Sequence, residues 1–323
     1  MATQHQRQHR QQHTAAWVRY FADRGHESAR PLAAGVEGAV YRLGDGTVAK
    51  VWSGRRPAVP ELVRRVYDDI ARHSPPLPFA TPEILAVEEH EGVLVTYERE
   101  LRGTPLRADS AIVAPPRELP ARETDALLTV LRALSAVPGT EAMRRLTVQG
   151  DDRPLWEGHA RFPDALAALV RRAVRRRGDL LAARVPDLAA MVRRTTESLV
   201  ALPDSQSVSV VHGDLVPPNI HVDGTGAPTA VLDFGFFTTA GDPAFEAAVT
   251  AAVWDMYGPY AEHHTAVLTR LFAEEFRHSP DTLALYRRAY ALATYDLFSS
   301  DGSDGHFRWC AALLGRGSLR PPR

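Results

Sequence analysis

Three side chains in the stretch VSVVHGDLVPPNIHVDGTGAPTAVLDFG, residues 208–235, have the types and spacing that phosphoryl chemistry asks for. They are Asp214, Asn219 five positions on, and Asp233 in Asp233-Phe234-Gly235. A carboxylate on a rigid loop can orient a hydroxyl. An amide oxygen and a second carboxylate brought together can hold Mg²⁺ against a triphosphate. Mg²⁺ takes oxygen ligands in a tight octahedron and fills much of its shell from phosphate and water, so one carboxylate and one amide are a sufficient protein share. Asp-Phe-Gly by itself is a common hairpin tip. The His-Gly-Asp-Leu-x₃-Asn run one hairpin upstream is what makes the set specific.

These groups meet only if the elements around them are of the right kind. Val208, Val210 and Val211 form a β-branched run suited to a buried strand that bases the first loop. Pro217 and Pro218 lock φ and so fix the spacing from Asp214 to Asn219. Ile220 and Val222 read as one arm of a hairpin, Asp223-Gly224-Thr225-Gly226 as its turn, and Ala230-Val231-Leu232 as the returning arm, which carries Asp233 back beside Asn219.

Composition singles out two of the same positions. Among 38 Lys plus Arg, Lys50 is the only lysine, and Asn219 is the only asparagine. Lysine is normally among the commonest residues, so the chain has been almost emptied of it, as a GC-rich coding bias would do. The bias does not explain where the survivors sit. A compact ammonium at a tight phosphate site is not replaceable by a longer, planar, forked guanidinium.

Lys50 lies on the returning strand, Val48–Trp52, of a hairpin that turns at Gly44-Asp45-Gly46. Gly35 and Gly38 sit at the preceding bend, where a missing Cβ lets backbone N–H groups approach phosphate oxygens. Two glycines near a hairpin are also an ordinary turn, and their weight comes from Lys50 downstream. Glu61 opens a helix, ELVRRVYDDIARH. It either pairs with Lys50, with Asp68 and Asp69 as other partners, or is a first-turn glutamate favoured by the helix dipole. Two more strands, Ile84–Val87 and Val93–Thr96, lead to a crossover at Glu98, Arg99, Glu100 and Leu101, where a nucleotide base would meet backbone groups.

From Glu123 to Leu202 the pattern is mostly helical, with a basic run at 171–179 read as a solvated helix face. After Asp233-Phe234-Gly235 only residues 236–242 precede Asp242-Pro243, an N-cap followed by proline at the first helical position. No room remains for a regulatory activation segment. From Asp242 to Asp304 ten acids face four arginines, in a chain of net charge −1. Such a surface either attracts a cationic or polyhydroxylated acceptor or is the solvated outside of a helical bundle. Glu246, Trp254, Asp255 and Tyr257, with Asp214, are the acceptor contacts expected there.

At 323 residues with 45% hydrophobic content, the chain has material for two lobes. Its charge argues against nucleic acid as a partner. The lone Cys310 excludes an internal disulfide, and neither an 18-residue apolar run nor an apolar signal core is present. The expectation is a soluble, cytoplasmic protein without a membrane partner, monomeric or homodimeric. Residues 1–13, with His5, His9 and His13, read as a disordered low-complexity tail.

The order GVEGAVYRLGDGTVAKVW, the Glu61 helix, GTPL after a crossover, HGDLVPPN, LDFG and GDPAFE resembles the aminoglycoside phosphotransferase family over residues 30 to 310. The resemblance implies an α+β, bilobal protein-kinase-like fold shared with choline kinases. Its small antiparallel-sheet N-lobe would span 14–98, and its larger, mostly helical C-lobe 99–323. It also implies transfer of the γ-phosphate of ATP or GTP, with Mg²⁺, to a hydroxyl of an aminoglycoside-like or other natural-product antibiotic. In that frame Asp214 is the catalytic aspartate, Asn219 and Asp233 the metal ligands, Lys50 the phosphate contact, and His212 a loop-shaping residue. The chain departs from the family's D-P-x-x-D-L-A at Glu246, which two alanines follow. A metabolite kinase of the choline or methylthioribose type would use the same motifs. The intact Lys50, Asp214, Asn219 and Asp233 set argues against a catalytically dead binding module.

Overall fold

The computed structural model describes residues 14–35, 38–53, 58–107, 116–203 and 207–316, so the tail at 1–13 lies outside the described residues. The chain divides into two compact units. One holds the described residues up to Arg72 together with Ala80–Arg102; the other holds His73–Phe79 and everything from Gly103 onward.

The first unit is a five-stranded antiparallel sheet with two helices. Helix α1 covers residues 14–22. Strands β1 (Arg30–Ala34), β2 (Gly38–Arg42) and β3 (Thr47–Trp52) precede helix α2 (Ala58–Ala71), and β4 (Ile84–His90) and β5 (Val93–Arg99) complete the sheet in the order β1-β2-β3-β5-β4. Side chains alternate across a strand. Ala49 and Val51 of β3 therefore join Tyr41 and Val95 under Trp17, Tyr20 and Phe21 of α1, in one buried cluster. Lys50 belongs to the other face.

The second unit begins with the short strand β6 (Thr104–Pro105). Helices α3 (Ala121–Ala136), α4 (Glu141–Arg144), α5 (Phe162–Ala182) and α6 (Leu188–Val200) follow. Strand β7 (Ser209–Val211) leads through a 3₁₀ turn at Pro217–Asn219 into β8 (Ile220–Val222), β9 (Pro228–Val231) and β10 (Thr239–Gly241). Helices α7 (Pro243–Val253), α8 (Ala261–Phe276), α9 (Pro280–Thr294) and α10 (Gly305–Arg316) close the chain. Strand β10 pairs with β7, and β8 lies between β6 and β9. Every residue of α7 from Ala244 to Val253 is buried, which fits a helix apolar on all sides.

The basic run at 171–179 has Arg171, Arg175 and Arg176 exposed, and two of its five arginines are ion-paired among the described residues. Arg172 pairs with Asp151 at 2.6 Å and Arg176 with Asp296 at 2.8 Å. Among the described residues no helix is long and apolar enough to cross a membrane.

Candidate active site

The His212-Gly213-Asp214 loop follows β7, and its backbone is tied on every side. Glu246 Oε2 accepts the N–H of His212 at 2.5 Å and of Gly213 at 3.0 Å. His212 Nδ1 accepts the N–H of Asp214 at 3.2 Å, and Thr238 Oγ1 donates to His212 O at 3.0 Å. Asn219 Nδ2 donates to Asp214 O at 2.9 Å, which fixes the five-residue spacing by a direct bond. Gly213 has φ +78°, and an added Cβ would lie 2.5 Å from Phe237 Cβ, so only glycine fits between β7 and the segment leading to β10.

The same loop is bolted to the second carboxylate. His212 is fully buried, and its Nε2 donates to Leu232 O at 2.8 Å, one residue before Asp233. With Nδ1 accepting and Nε2 donating, the ring is a neutral tautomer. Burial also drives its pKa down to about 4, with the Leu232 carbonyl and the Asp233 charge only partly opposing. This histidine braces two loops and has no proton to trade near neutral pH.

Asp233 is carried by the β8–β9 hairpin. Ile220 faces Val231 in register, and Leu232 N donates to Asn219 O at 2.9 Å, so Asp233 returns beside Asn219. The turn is held by Asp223 Oδ1, which accepts from Thr225 N at 2.8 Å and Ala227 N at 3.2 Å. Asp233 itself adopts φ +62°, the left-handed region that aspartate visits more readily than most residues. Phe234 is buried against the His212 ring, with centroids 4.4 Å apart. The amide nitrogen of Asn219 is committed to Asp214 O, which leaves its carbonyl oxygen as the group that can join the Asp233 carboxylate on a cation. This hard-oxygen pair suits Mg²⁺. Among the described residues no group of three or more His, Cys, Asp or Glu gathers as a metal site.

In the first unit Lys50 stands between Val40 of β2 and Thr96 of β5. Its Nζ lies 4.3 Å from the centroid of the Trp52 ring, two residues along the same face. Trp52 Nε1 donates to Thr96 Oγ1 at 3.1 Å, and Thr96 donates to Glu98 at 2.7 Å. Register puts Glu98, opposite Val48, diagonally across from Lys50 on that face. Glu61 does not take up Lys50. It pairs with Arg64 at 2.6 Å, three residues on in α2, while Asp68 and Asp69 pair with Arg72.

Gly35 N donates to Gly38 O at 2.8 Å, and Gly38 has φ +152°, with Val51 O 2.0 Å from where a Cβ would be. Close strand pairing therefore accounts for this glycine. In the crossover the side chains are engaged locally: Arg99 with Glu83 at 2.6 Å and Glu100 with Arg42 at 2.5 Å. Leu101 follows them and is partly buried.

The expected acceptor contacts separate into two groups. Glu246 is buried and serves the loop backbone, so it presents nothing to an acceptor. Trp254 and Asp255 are buried too, and Asp255 Oδ2 accepts from His264 Nδ1 at 2.9 Å. Tyr257 is 61% exposed and lines a cleft of about 1310 Å³. α8 and α10 both pack on α9, and the cleft is the gap between them. The positions of α8 that face it recur at helical spacing (261, 262, 265, 266, 269, 270, 273, 274), and most are Ala or Thr, too short to fill the gap. Burial above all pushes the Tyr257 phenol up to about 12. None of this was visible in the pattern of acids, because it depends on which helices fail to touch.

A carboxylate-bearing loop locked to a hairpin in a helical unit, in a chain whose other unit is an antiparallel sheet bearing the one lysine, matches the class of kinase-like phosphotransferases. The chain belongs to the Phosphotransferase enzyme family, whose profile matches residues 28–291. It is an enzyme that moves a phosphoryl group onto an alcohol group.

Solved structures share its fold. Macrolide 2′-phosphotransferase MphH from Brachybacterium faecium is 21% identical, with TM-score 0.56, over 95% of this chain and 99% of that one. The GDP complex of aminoglycoside 2′-phosphotransferase-IIIa is 14% identical, with TM-score 0.61, over 90% and 93%. Aminoglycoside phosphotransferase APH(3″)-Id from Streptomyces rimosus, in complex with ADP and streptomycin, is 20% identical, with TM-score 0.51, over 87% and 98%. Identities this low establish the fold alone. No curated protein sequence matches the chain.

Proposed function

We propose that the chain transfers the γ-phosphate of ATP or GTP to a hydroxyl of a natural-product antibiotic. The observation that carries this is the locked His212-Gly213-Asp214 loop. All its backbone N–H groups are satisfied, as are the carbonyls of His212 and Asp214, so the backbone that carries Asp214 is fixed and Asn219 is bonded directly to it. The similarity to macrolide and aminoglycoside phosphotransferases, solved with GDP or with ADP and streptomycin, supports a nucleoside triphosphate donor and a large hydroxylated acceptor.

Asp214 accepts a hydrogen bond from the acceptor hydroxyl and turns its oxygen toward the γ-phosphorus, taking the proton late. A loose transition state asks little more of a base than alignment. Asn219 Oδ1 and the Asp233 carboxylate would hold Mg²⁺, which would offset the charge of the phosphates. Lys50 contacts the nucleotide phosphates, and the Glu98–Leu101 backbone meets the base. The acceptor enters along the α8–α10 cleft, past Tyr257.

Asp214→Asn tests the reading. General-base assistance is worth about 10² to 10⁴ in rate, and acceptor-dependent turnover should fall by that much while the Kd for the triphosphate stays within about threefold, because positioning rather than binding is lost. Turnover that survives the change removes Asp214 from the chemistry.

A further inference from the structure

The lining of the α8–α10 cleft is not acidic, although the surrounding sequence is. Glu262, Glu274 and Arg270 line it from α8, Arg287 from α9 and Arg308 from α10, with His278 in the loop between α8 and α9. Along α8 the cleft runs from Glu262 to Glu274, about 18 Å at 1.5 Å per residue, and its two ends differ. Tyr257 marks one end together with Ala252, in the last turn of α7, the helix whose Glu246 holds the His212-Gly213-Asp214 loop. Thr269, Arg270, His278 and Arg287 mark the other.

Arg287 is the informative group. It projects from α9, is half-buried, and uses one guanidinium nitrogen, Nη1, to donate to Thr269 Oγ1 at 2.7 Å. Among the described residues no carboxylate pairs with it or with Arg270. Its Nε and Nη2 are not among the buried, unpartnered side-chain nitrogens, and the residue lines the cleft. Burial, and then the charge of Arg288, depress its pKa, as expected of a cation that lacks a counter-ion. A guanidinium anchored at one corner and open at the rest is a fork awaiting a planar oxyanion.

We infer that this cleft takes a hydroxylated acceptor bearing a carboxylate, which Arg287 and Arg270 bind at the end away from Asp214, and that it discriminates against polycations. The inference rests on the phosphotransfer reading, because it makes the cleft the acceptor site of that reaction. An elongated acceptor would be clamped by its acid at one end and present its hydroxyl to Asp214 at the other. The small residues along α8 leave room for its body.

Three hydroxyl-rich trisaccharides of similar size test it by calorimetry on the full chain: sialyllactose (anionic), maltotriose (neutral) and chitotriose (cationic). Sialyllactose should bind about tenfold or more tightly than chitotriose, the scale of one charge-assisted fork. Arg287→Gln should erase that preference. Arg287→Lys should keep part of it, since it retains charge without the fork. Because Arg287 has no ion pair to lose, Arg287→Gln should melt at or above the wild-type temperature, so a loss of preference cannot be put down to misfolding. Failure of sialyllactose to outbind chitotriose, or an unchanged preference in Arg287→Gln, overturns the inference. Asp214-dependent triphosphate consumption is scored separately. If the charge preference fails, the inference alone falls; if triphosphate turnover is unchanged in Asp214→Asn, the phosphotransfer reading falls.

Discussion

Glu246 and His212 are buried and ionisable, and both hold the His212-Gly213-Asp214 loop, yet burial moves them in opposite senses. Loss of hydration lifts Glu246 to about 7, against the pull of the two loop N–H groups, and lowers His212 to about 4. The signs follow from linkage. The folded state holds a proton on Glu246 between about 4.5 and 7 that the unfolded chain has released, so this residue's stabilisation is complete below 4.5 and is lost as pH rises to 7. For His212 the unfolded chain binds the extra proton between about 4 and 6.5, so its contribution is present above 6.5 and is lost as pH falls to 4. Each slope is about 1.4 kcal/mol per pH unit, so over the shared window the two cancel. Glu246→Gln should expose the histidine's slope. Relative to wild type, urea-derived stability of the variant should gain about 3 kcal/mol between pH 4.5 and 7. Parallel profiles would show that Glu246 is ionised throughout. Sequence gave the position of Glu246, in a D-P-x-x-E context at a helix start, but not its job. Glutamate near a helix N-terminus satisfies the dipole rule equally well when it points to solvent.

At the scale of elements, the start of α7 is where the loop's support is itself supported. Asp242 caps the helix by accepting from Ala244 N at 2.9 Å, and its other oxygen accepts from Tyr286 Oη at 2.8 Å, which ties α7 to α9. Asp242→Ala should cost about 1–2 kcal/mol for the cap and about 1–3 kcal/mol more for leaving a buried hydroxyl unpaired. Tyr286→Phe alone should cost less, and the double variant less than the sum, by denaturant unfolding at fixed pH. Additive losses would mean that the two oxygens act independently.

The cap and the proline after it were legible from Asp242-Pro243, as were the β8–β9 hairpin from its Asp-Gly-Thr-Gly turn and β4 and β5 from their apolar runs. Strands β1, β6 and β10 were not. They are two to five residues long, and β10, Thr-Ala-Gly, has no apolar alternation at all. It is a strand only because β7 needs a partner, a tertiary requirement that no local pattern records. The Glu61–Lys50 pairing failed for a related reason, since a partner three residues away on the same helix was nearer than one that had to be reached across the fold.

At the scale of the molecule, a chain with one lysine and one asparagine carries its own record of which positions resist substitution. Asn219 has one visible reason to be there: its amide donates to Asp214 O, a hydrogen that an ionised aspartate cannot supply. Lys50 is the same argument in the other unit. Arginine could keep the charge and the stacking over Trp52, so Lys50→Arg should melt within about 2–4 °C of wild type. It should nevertheless lose about a hundredfold in kcat/KM, the scale of a misplaced charge-stabilising donor, because a longer planar fork cannot put one compact charge at a phosphate oxygen.

Scarcity also makes an unusually clean chemical test. Apart from the α-amino group, Lys50 is the only amine in the chain, so acylation with an amine-directed reagent at saturation has one internal target. Loss of turnover should track modification of Lys50 by mass spectrometry, and a magnesium–triphosphate complex should slow both together. Full activity after stoichiometric acylation of Lys50 would mean that the lysine survived the compositional bias by chance and that the nucleotide phosphates are held by something else.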